Sequence, residues 1–137
     1  MDSLTPKQRS EVMRQVRSKH SHPEMVVRRM VHALGYRFRL HSTKVYGHPD
    51  LVFTRRRKVV FVHGCYWHRH SGCPRTRTPK SRVAFWEAKF AANVARDRKV
   101  RGWLRREKWD VLIVWECETE QPDMLRRKLE TFLGDRQ

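Results

Sequence analysis

The sequence predicts an α/β domain in which helices flank a sheet that contains an antiparallel hairpin. Two observations carry this. Apolar residues recur at three- and four-residue steps over residues 23–35, 83–108 and 124–133, the spacing of one buried helical face. Continuous apolar runs at 51–53, 59–62 and 111–115 are too short for helices and rich in Val, Ile and Phe, as buried strands are. The 137 residues suffice for one domain with a core, and no internal repeat or second domain is apparent.

In chain order, residues 1–22 are polar and basic, with Met13 and Val16 as the few apolar anchors. Pro6 can open a short helix to about Lys19. The arm is expected to be mobile until it meets a partner. Pro23 suits the first turn of a helix, and Glu24 the positive end of its dipole. Val26, Val27, Met30, Val31 and Leu34 mark that helix's inner face, and Gly35 its end. Tyr36 to Leu40 alternates as a short strand. Pro49 excludes the helical region for His48. Leu51-Val52-Phe53 and Val59-Val60-Phe61-Val62, joined by Arg55-Arg56-Arg57-Lys58, read as a hairpin. Asp50 then starts one strand and His63 ends its neighbour, and antiparallel pairing brings those ends together.

Residues 74–82 form a Pro-, Arg- and Thr-rich loop. A helix follows over about 83–108, with Phe85, Trp86, Lys89, Phe90, Asn93, Val94 and Asp97 on adjoining faces. Gly102 is expected to bend or divide it, at about 1 kcal/mol in propensity. Val111 to Trp115 reads as a central strand covered on both faces, ending in Glu116-Cys117. A last helix over 124–133 points Leu125, Leu129, Phe132 and Leu133 inward.

The formal net charge is +17, from 31 Lys and Arg against 14 Asp and Glu. That excess exceeds what solubility requires and points to a polyanion, first of all nucleic acid. No apolar run reaches the roughly 18–20 residues of a membrane span, and the amino-terminal residues lack an apolar signal core, so a cytoplasmic protein with no membrane association is expected. Three cysteines, an odd number, argue against a disulfide framework.

Cys65-x4-His70-x2-Cys73 places three good zinc ligands on one short loop. Structural zinc takes four, and Cys117, at a strand end, is the candidate fourth. Otherwise Cys117 is a small buried hydrophobe. Asp50 can hold Mg²⁺ on a phosphodiester, or else caps a turn. His63 and His68, outside the Cys3His set, can donate to a phosphate oxygen or take a proton from water; each alone can equally be a structural histidine. Tyr66 and Trp67 sit within the tight loop. On a basic protein they read as a wedge between base steps, with core packing of Trp67 as the alternative.

With these residues in view, the sequence resembles the very-short-patch repair (Vsr) DNA mismatch endonucleases. The motifs are Gly47-His48-Pro49-Asp50, Phe61 to Pro74, Thr78 to Arg82, Phe85 to Asp97 and Val111 to Cys117, and the resemblance runs from about Met13 to Leu133. It implies a restriction-endonuclease-like core, a mixed central sheet flanked by helices with a structural zinc site. It also implies Mg²⁺-dependent, strand-specific nicking of double-stranded DNA 5′ to the thymine of a T·G mispair, the product of 5-methylcytosine deamination. Asp50 matches the metal-binding aspartate, and His63 and His68 the active-site histidines. Cys65, His70, Cys73 and Cys117 match the zinc ligands. Tyr66, Trp67 and Met13 match intercalating residues, and Glu24, Asn93 and Asp97 fall on family-like positions near the site. The acid-x-lysine element usual on the second strand of that superfamily is missing, and the resemblance assigns its metal-ligand role to the backbone carbonyl of Val62. Tyr66 stands where Phe is expected, which preserves stacking. A monomer functionally linked to a cytosine-5 DNA methyltransferase and to mismatch-repair proteins is implied. Two rivals share these motifs in part: a zinc-containing nuclease with broader mismatch or structure specificity, and a non-catalytic zinc-bearing DNA-binding module.

Overall fold

A computed structural model describes residues 21–134. Helix α1 (His22–Ala33) leads into strands β1 (Arg39–Leu40), β2 (Leu51–Phe53) and β3 (Lys58–His63). Helix α2 (Val83–Arg106), strand β4 (Asp110–Trp115), a 3-10 turn (Glu116–Glu120) and helix α3 (Pro122–Leu133) follow. The sheet order is β1-β2-β3-β4. β1, β2 and β3 pair antiparallel, whereas β4 lies parallel to β3, so the sheet is mixed.

The side-chain alternation of a strand divides the core into two layers. Leu51, Phe53, Val60 and Val114 face α1 and α3, where Val27, Val31, Leu125, Leu129 and Leu133 are buried against them. Val52, Val59 and Phe61 face the other way, onto Val100 and Leu104 of α2 and onto Val45. β3, α2 and β4 thus form a β-α-β crossover, the connection that parallel strands require. One consequence sets the site. His63 pairs with Trp115, so β3 and β4 end at the same edge. The loop carrying Cys65 and the turn carrying Cys117 therefore start side by side.

Local chemistry explains the element ends. Ser21 caps α1, its hydroxyl accepting from the Glu24 amide at 3.4 Å, so the helix starts at His22 and residues 21–22 are not part of an arm. Gly47 has φ +82°, and a Cβ there would lie 2.4 Å from Val100 Cγ1, so glycine lets this turn close onto α2.

Three expectations are corrected. The alternating stretch 36–40 pairs only over Arg39–Leu40; Tyr36 instead turns into the core and its hydroxyl donates to the Gly134 carbonyl. Helix α2 runs unbroken through Gly102, because the burial of Val100 and Leu104 outweighs the propensity cost. β4 is not central: among the described residues it is the last strand of the sheet. Its unbroken apolar run reports two packed faces, with Leu112 and Val114 on one and Val111 and Ile113 on the other, and does not report a partner on each edge. On α3, Phe132 faces inward as expected, partly buried against the core; its carbonyl accepts from Lys58 Nζ, whose ammonium lies over its ring. Met13 lies outside the described residues.

Candidate active site and metal centre

All the chemistry-bearing side chains gather at the carboxyl end of β3. A tight loop leaves that end, with the His68 amide bonded to the Gly64 carbonyl and the His70 amide to the Cys65 carbonyl. This winding turns Cys65, His70 and Cys73 inward to meet Cys117, and one ligand atom from each lies within 4.8 Å of the others. His70 Nδ1 is 3.6 Å from Cys65 Sγ and 3.5 Å from Cys117 Sγ. A tetrahedral zinc with bonds of about 2.3 Å to sulfur and about 2.05 Å to nitrogen puts those atoms about 3.55 Å apart. The donor set and its spacing therefore fit such an ion. Burial pushes the Cys65 thiol up to about 12 and raises Cys117 as well. The Cys117 amide donates to Cys65 Sγ, and the Cys65 amide to Glu116.

Beside this cluster His63 and His68 lie ring on ring, with centroids 3.8 Å apart. His68 Nδ1 is 2.7 Å from Asp97 Oδ2, which reaches over from α2. His63 is buried, and burial, then the neighbouring His68, push it down to about 3, so it stays neutral near pH 7. Trp115 separates the two centres. It stacks under His70 at 4.2 Å and turns its edge to His63 at 5.3 Å.

The third group lies on the other side of β3. Asp50 Oδ2 accepts from the Val62 amide at 2.6 Å. Leu51 pairs with Val60, so Asp50 continues β2 past the ladder and its carboxylate takes the place of a strand partner. Burial, then the nearby Glu24, push Asp50 up to about 7 against the lowering effect of that amide. Glu24, only 3% exposed, comes from α1. Its Oε1 meets His41 Nε2 at 2.9 Å, and the same nitrogen lies 3.9 Å from Asp50 Oδ1.

Tyr66 and Trp67 do not project freely. Both rings are half-buried and pack edge to face, with Phe90 below and Trp86 against Trp67. The loop is tight, but α2 offers an aromatic floor that the loop sequence alone does not reveal. Asn93 donates to the Trp67 carbonyl at 3.3 Å, tying the loop to that helix. Arg69 lies over Phe90, and Arg82 over the exposed Phe85.

A family model described as DNA mismatch endonuclease Vsr matches residues 1–75. The chain is 47% identical over 132 residues to a type II nicking enzyme, V.XorIIP, of Xanthomonas oryzae pv. oryzae, covering 96% of each chain. The chain belongs to the Vsr family. It is 38% identical over 134 residues to the nicking enzyme V.NmeAIP of Neisseria meningitidis, covering 98% of this chain and 95% of that one. It is 38% identical over 130 residues to the DNA mismatch endonuclease Vsr of Escherichia coli, covering 91% and 83%. A Vsr-family chain is a hydrolase that nicks DNA, so the reading of a DNA-binding module without chemistry is set aside. No helix among the described residues is long and apolar enough to cross a membrane.

The structure thus brings together Cys65 with His70, Cys73 and Cys117, His63 with His68 and Asp97, and Asp50 with Glu24 and the Val62 backbone. Sequence reasoning missed His41 and Trp115. Trp115 reads as the last apolar residue of a strand, and only parallel pairing puts it between two histidines. His41 follows a two-residue strand in a left-handed conformation, φ 45°, a placement no periodicity marks.

Proposed function

We propose that this Vsr-family nuclease nicks double-stranded DNA 5′ to the thymine of T·G mispairs left by 5-methylcytosine deamination, in one strand, with Mg²⁺. The supporting observation is that two acid–histidine groups from distant segments share one edge of the sheet: Asp50 with Glu24 and His41, and Asp97 with His68 beside His63. A hairpin and a β-α-β crossover with the site at the carboxyl end of β3 agree with a restriction-endonuclease-like core forming a single domain.

Asp50 and the Val62 carbonyl would hold the Mg²⁺. In an extended strand a residue's N–H and C=O face the same edge, so the Val62 carbonyl shares the side from which Asp50 accepts its amide. When bound, the cation offsets charge developing on the phosphate. Cys65, His70, Cys73 and Cys117 would hold a structural zinc, since four protein ligands close the coordination sphere.

His68 is turned by Asp97 so that Nδ1 carries the proton and Nε2 faces outward as the base. A water oxygen bonds to phosphorus, its proton passes to Nε2, and the bond to the leaving oxygen breaks, that oxygen taking a proton from solvent. Neutral His63 donates to a phosphate oxygen. Tyr66 and Trp67, backed by Trp86 and Phe90, form one face of a wedge, and Met13 enters from the other side. A mispair yields first because its unstacking costs least. The basic residues of 75–82 hold phosphates, so binding falls steeply with salt. The turn Arg55 to Lys58 does not join them: it lies at the other end of β3, and Arg56, Arg57 and Lys58 donate to the carbonyls of Leu133, Glu107 and Phe132. The enzyme acts as a monomer, and its lesion presupposes a cytosine-5 methyltransferase.

The test is a labelled duplex with one T·G mispair, beside a matched duplex, other mispairs and an EDTA lane. A Mg²⁺-dependent nick in the thymine strand alone, abolished in Asp50→Asn with binding retained, is expected. Wild-type cutting by Asp50→Asn refutes the assignment of Asp50. The relatives named as type II nicking enzymes favour a second reading, the same chemistry with different target rules. Equal cutting of other mispairs selects it.

A further inference from the structure

The group formed by Glu24, His41 and Asp50 holds a nitrogen donor that the chemistry above leaves without a task. One ligand atom from each of the three lies within 4.8 Å of the others. His41 Nε2 is 2.9 Å from Glu24 Oε1 and 3.9 Å from Asp50 Oδ1. Neighbouring ligands of a six-coordinate cation with bonds of about 2.1 Å lie about 3 Å apart. Glu24 Oε2 is buried against Arg28 Nη1 at 3.6 Å, so Oε1, in contact with His41 Nε2, is the oxygen on offer to a cation. The imidazole is held firmly. The His41 amide donates to the Asp50 carbonyl at 3.2 Å, which holds its backbone beside Asp50, and Glu24 Oε1 orients the ring through Nε2.

We propose that His41 is a direct ligand of the divalent cation at Asp50, and that this nitrogen makes the centre favour borderline ions such as Co²⁺ over Mg²⁺. The inference rests on the reading that Asp50 holds a divalent cation. Carboxylate and carbonyl oxygens suit Mg²⁺, whereas an imidazole raises affinity for later first-row ions far more than for Mg²⁺. Glu24 Oε1 and Asp50 Oδ1 flank His41 Nε2, so one ion can touch all three while Asp50 Oδ2 keeps the Val62 amide. The Cys3His cluster is a separate centre on the far side of His63 and His68.

The experiment is a Co²⁺ titration of the full chain, zinc-loaded, followed by visible absorbance and calorimetry, with Mg²⁺ titrated in parallel. The lack of sulfur-to-cobalt charge-transfer absorption shows that the cysteine cluster keeps its zinc. His41→Gln should weaken Co²⁺ binding on the order of 10–100-fold while Mg²⁺ binding changes by less than about threefold. In the wild-type protein, bound Co²⁺ should shift the His41 ring proton resonances strongly, a readout that needs no variant to fold. Co²⁺ binding that is intact in His41→Gln but lost in Asp50→Asn overturns the role of His41 and leaves the cation site standing. Binding intact in Asp50→Asn removes the cation site itself. Equal weakening of both ions in His41→Gln makes His41 a positioning residue and overturns its place as a ligand.

Discussion

Asp97→Asn isolates the contribution of the carboxylate behind His68. Oxygen and nitrogen are 2.7 Å apart, and the side chains are 19% and 30% exposed. The centres of the carboxylate and of the imidazolium formed in the reaction are then about 4 Å apart, worth about 4 kcal/mol at an effective dielectric of about 20. Solvent at both side chains screens roughly half of this. The remaining ~2 kcal/mol corresponds to about a thirtyfold slower chemical step. The amide adds to the loss, because its NH2 group can face Nδ1 and place the ring proton on Nε2, where the base needs a lone pair. Where such a substitution selects the wrong tautomer in a serine protease triad the loss is about 10⁴. Asp97→Asn should therefore lower single-turnover nicking at saturating DNA by about 30-fold to 10⁴-fold, with DNA affinity measured without added Mg²⁺ unchanged. A rate within threefold of wild type refutes the dyad, as does a loss confined to DNA affinity.

Three further outcomes are expected. Cys117→Ser should bind less than one equivalent of zinc and lose several kcal/mol of stability, since structural zinc contributes about 10–16 kcal/mol; X-ray absorption of the wild-type zinc should show three sulfurs and one nitrogen, and an unchanged melting temperature in the variant refutes the closed site. Gly47→Ala should cost about 2–4 kcal/mol, from its positive φ and from overlap with Val100; calorimetry that finds no loss disproves the close approach. Burial holds His63 near 3 from an ordinary 6.5, so the unfolded chain takes up a proton that the folded chain refuses. That stability is complete above about pH 6.5 and drains away as pH falls towards 3, by about 2 kcal/mol at pH 5. Urea midpoints at pH 7 and pH 5 should differ more in the wild type than in His63→Gln, and an equal drop in both counts against a buried neutral imidazole.

The arrangement at the sheet edge also explains why so basic a chain keeps several acidic side chains together. Glu24, Asp50 and Asp97 each meet a histidine or a backbone amide. Asp50 nonetheless stays up near 7, because burial and Glu24 outweigh the Val62 amide. Farther out, Arg75 pairs with Glu120 and Glu116, which raises the guanidinium and lowers Glu120. These exposed pairs lie beside the cysteine loop and contribute little to stability.

What the sequence alone determined is local. The spacing of Cys65, His70 and Cys73, the helical faces of Val27 and Val31 and of Leu125 and Leu129, the hairpin around Arg55 to Lys58 and the excess of positive charge are properties of residues a few positions apart. Covalent geometry repeats over that range, so a pattern reports it. Tertiary structure decided which distant residues meet. Cys117 reaches Cys65 because β4 runs parallel to β3. Asp97 reaches His68 because the crossover lays α2 over that end of the sheet. Tyr66 and Trp67 rest on α2 rather than standing clear of the loop. His41 joins Glu24 and Asp50 across 17 and 9 residues of chain through a two-residue strand and one backbone hydrogen bond. Strand direction, register and edge position depend on every layer packing at once, and a run such as Val111 to Trp115 records the burial of its faces while leaving its neighbours open.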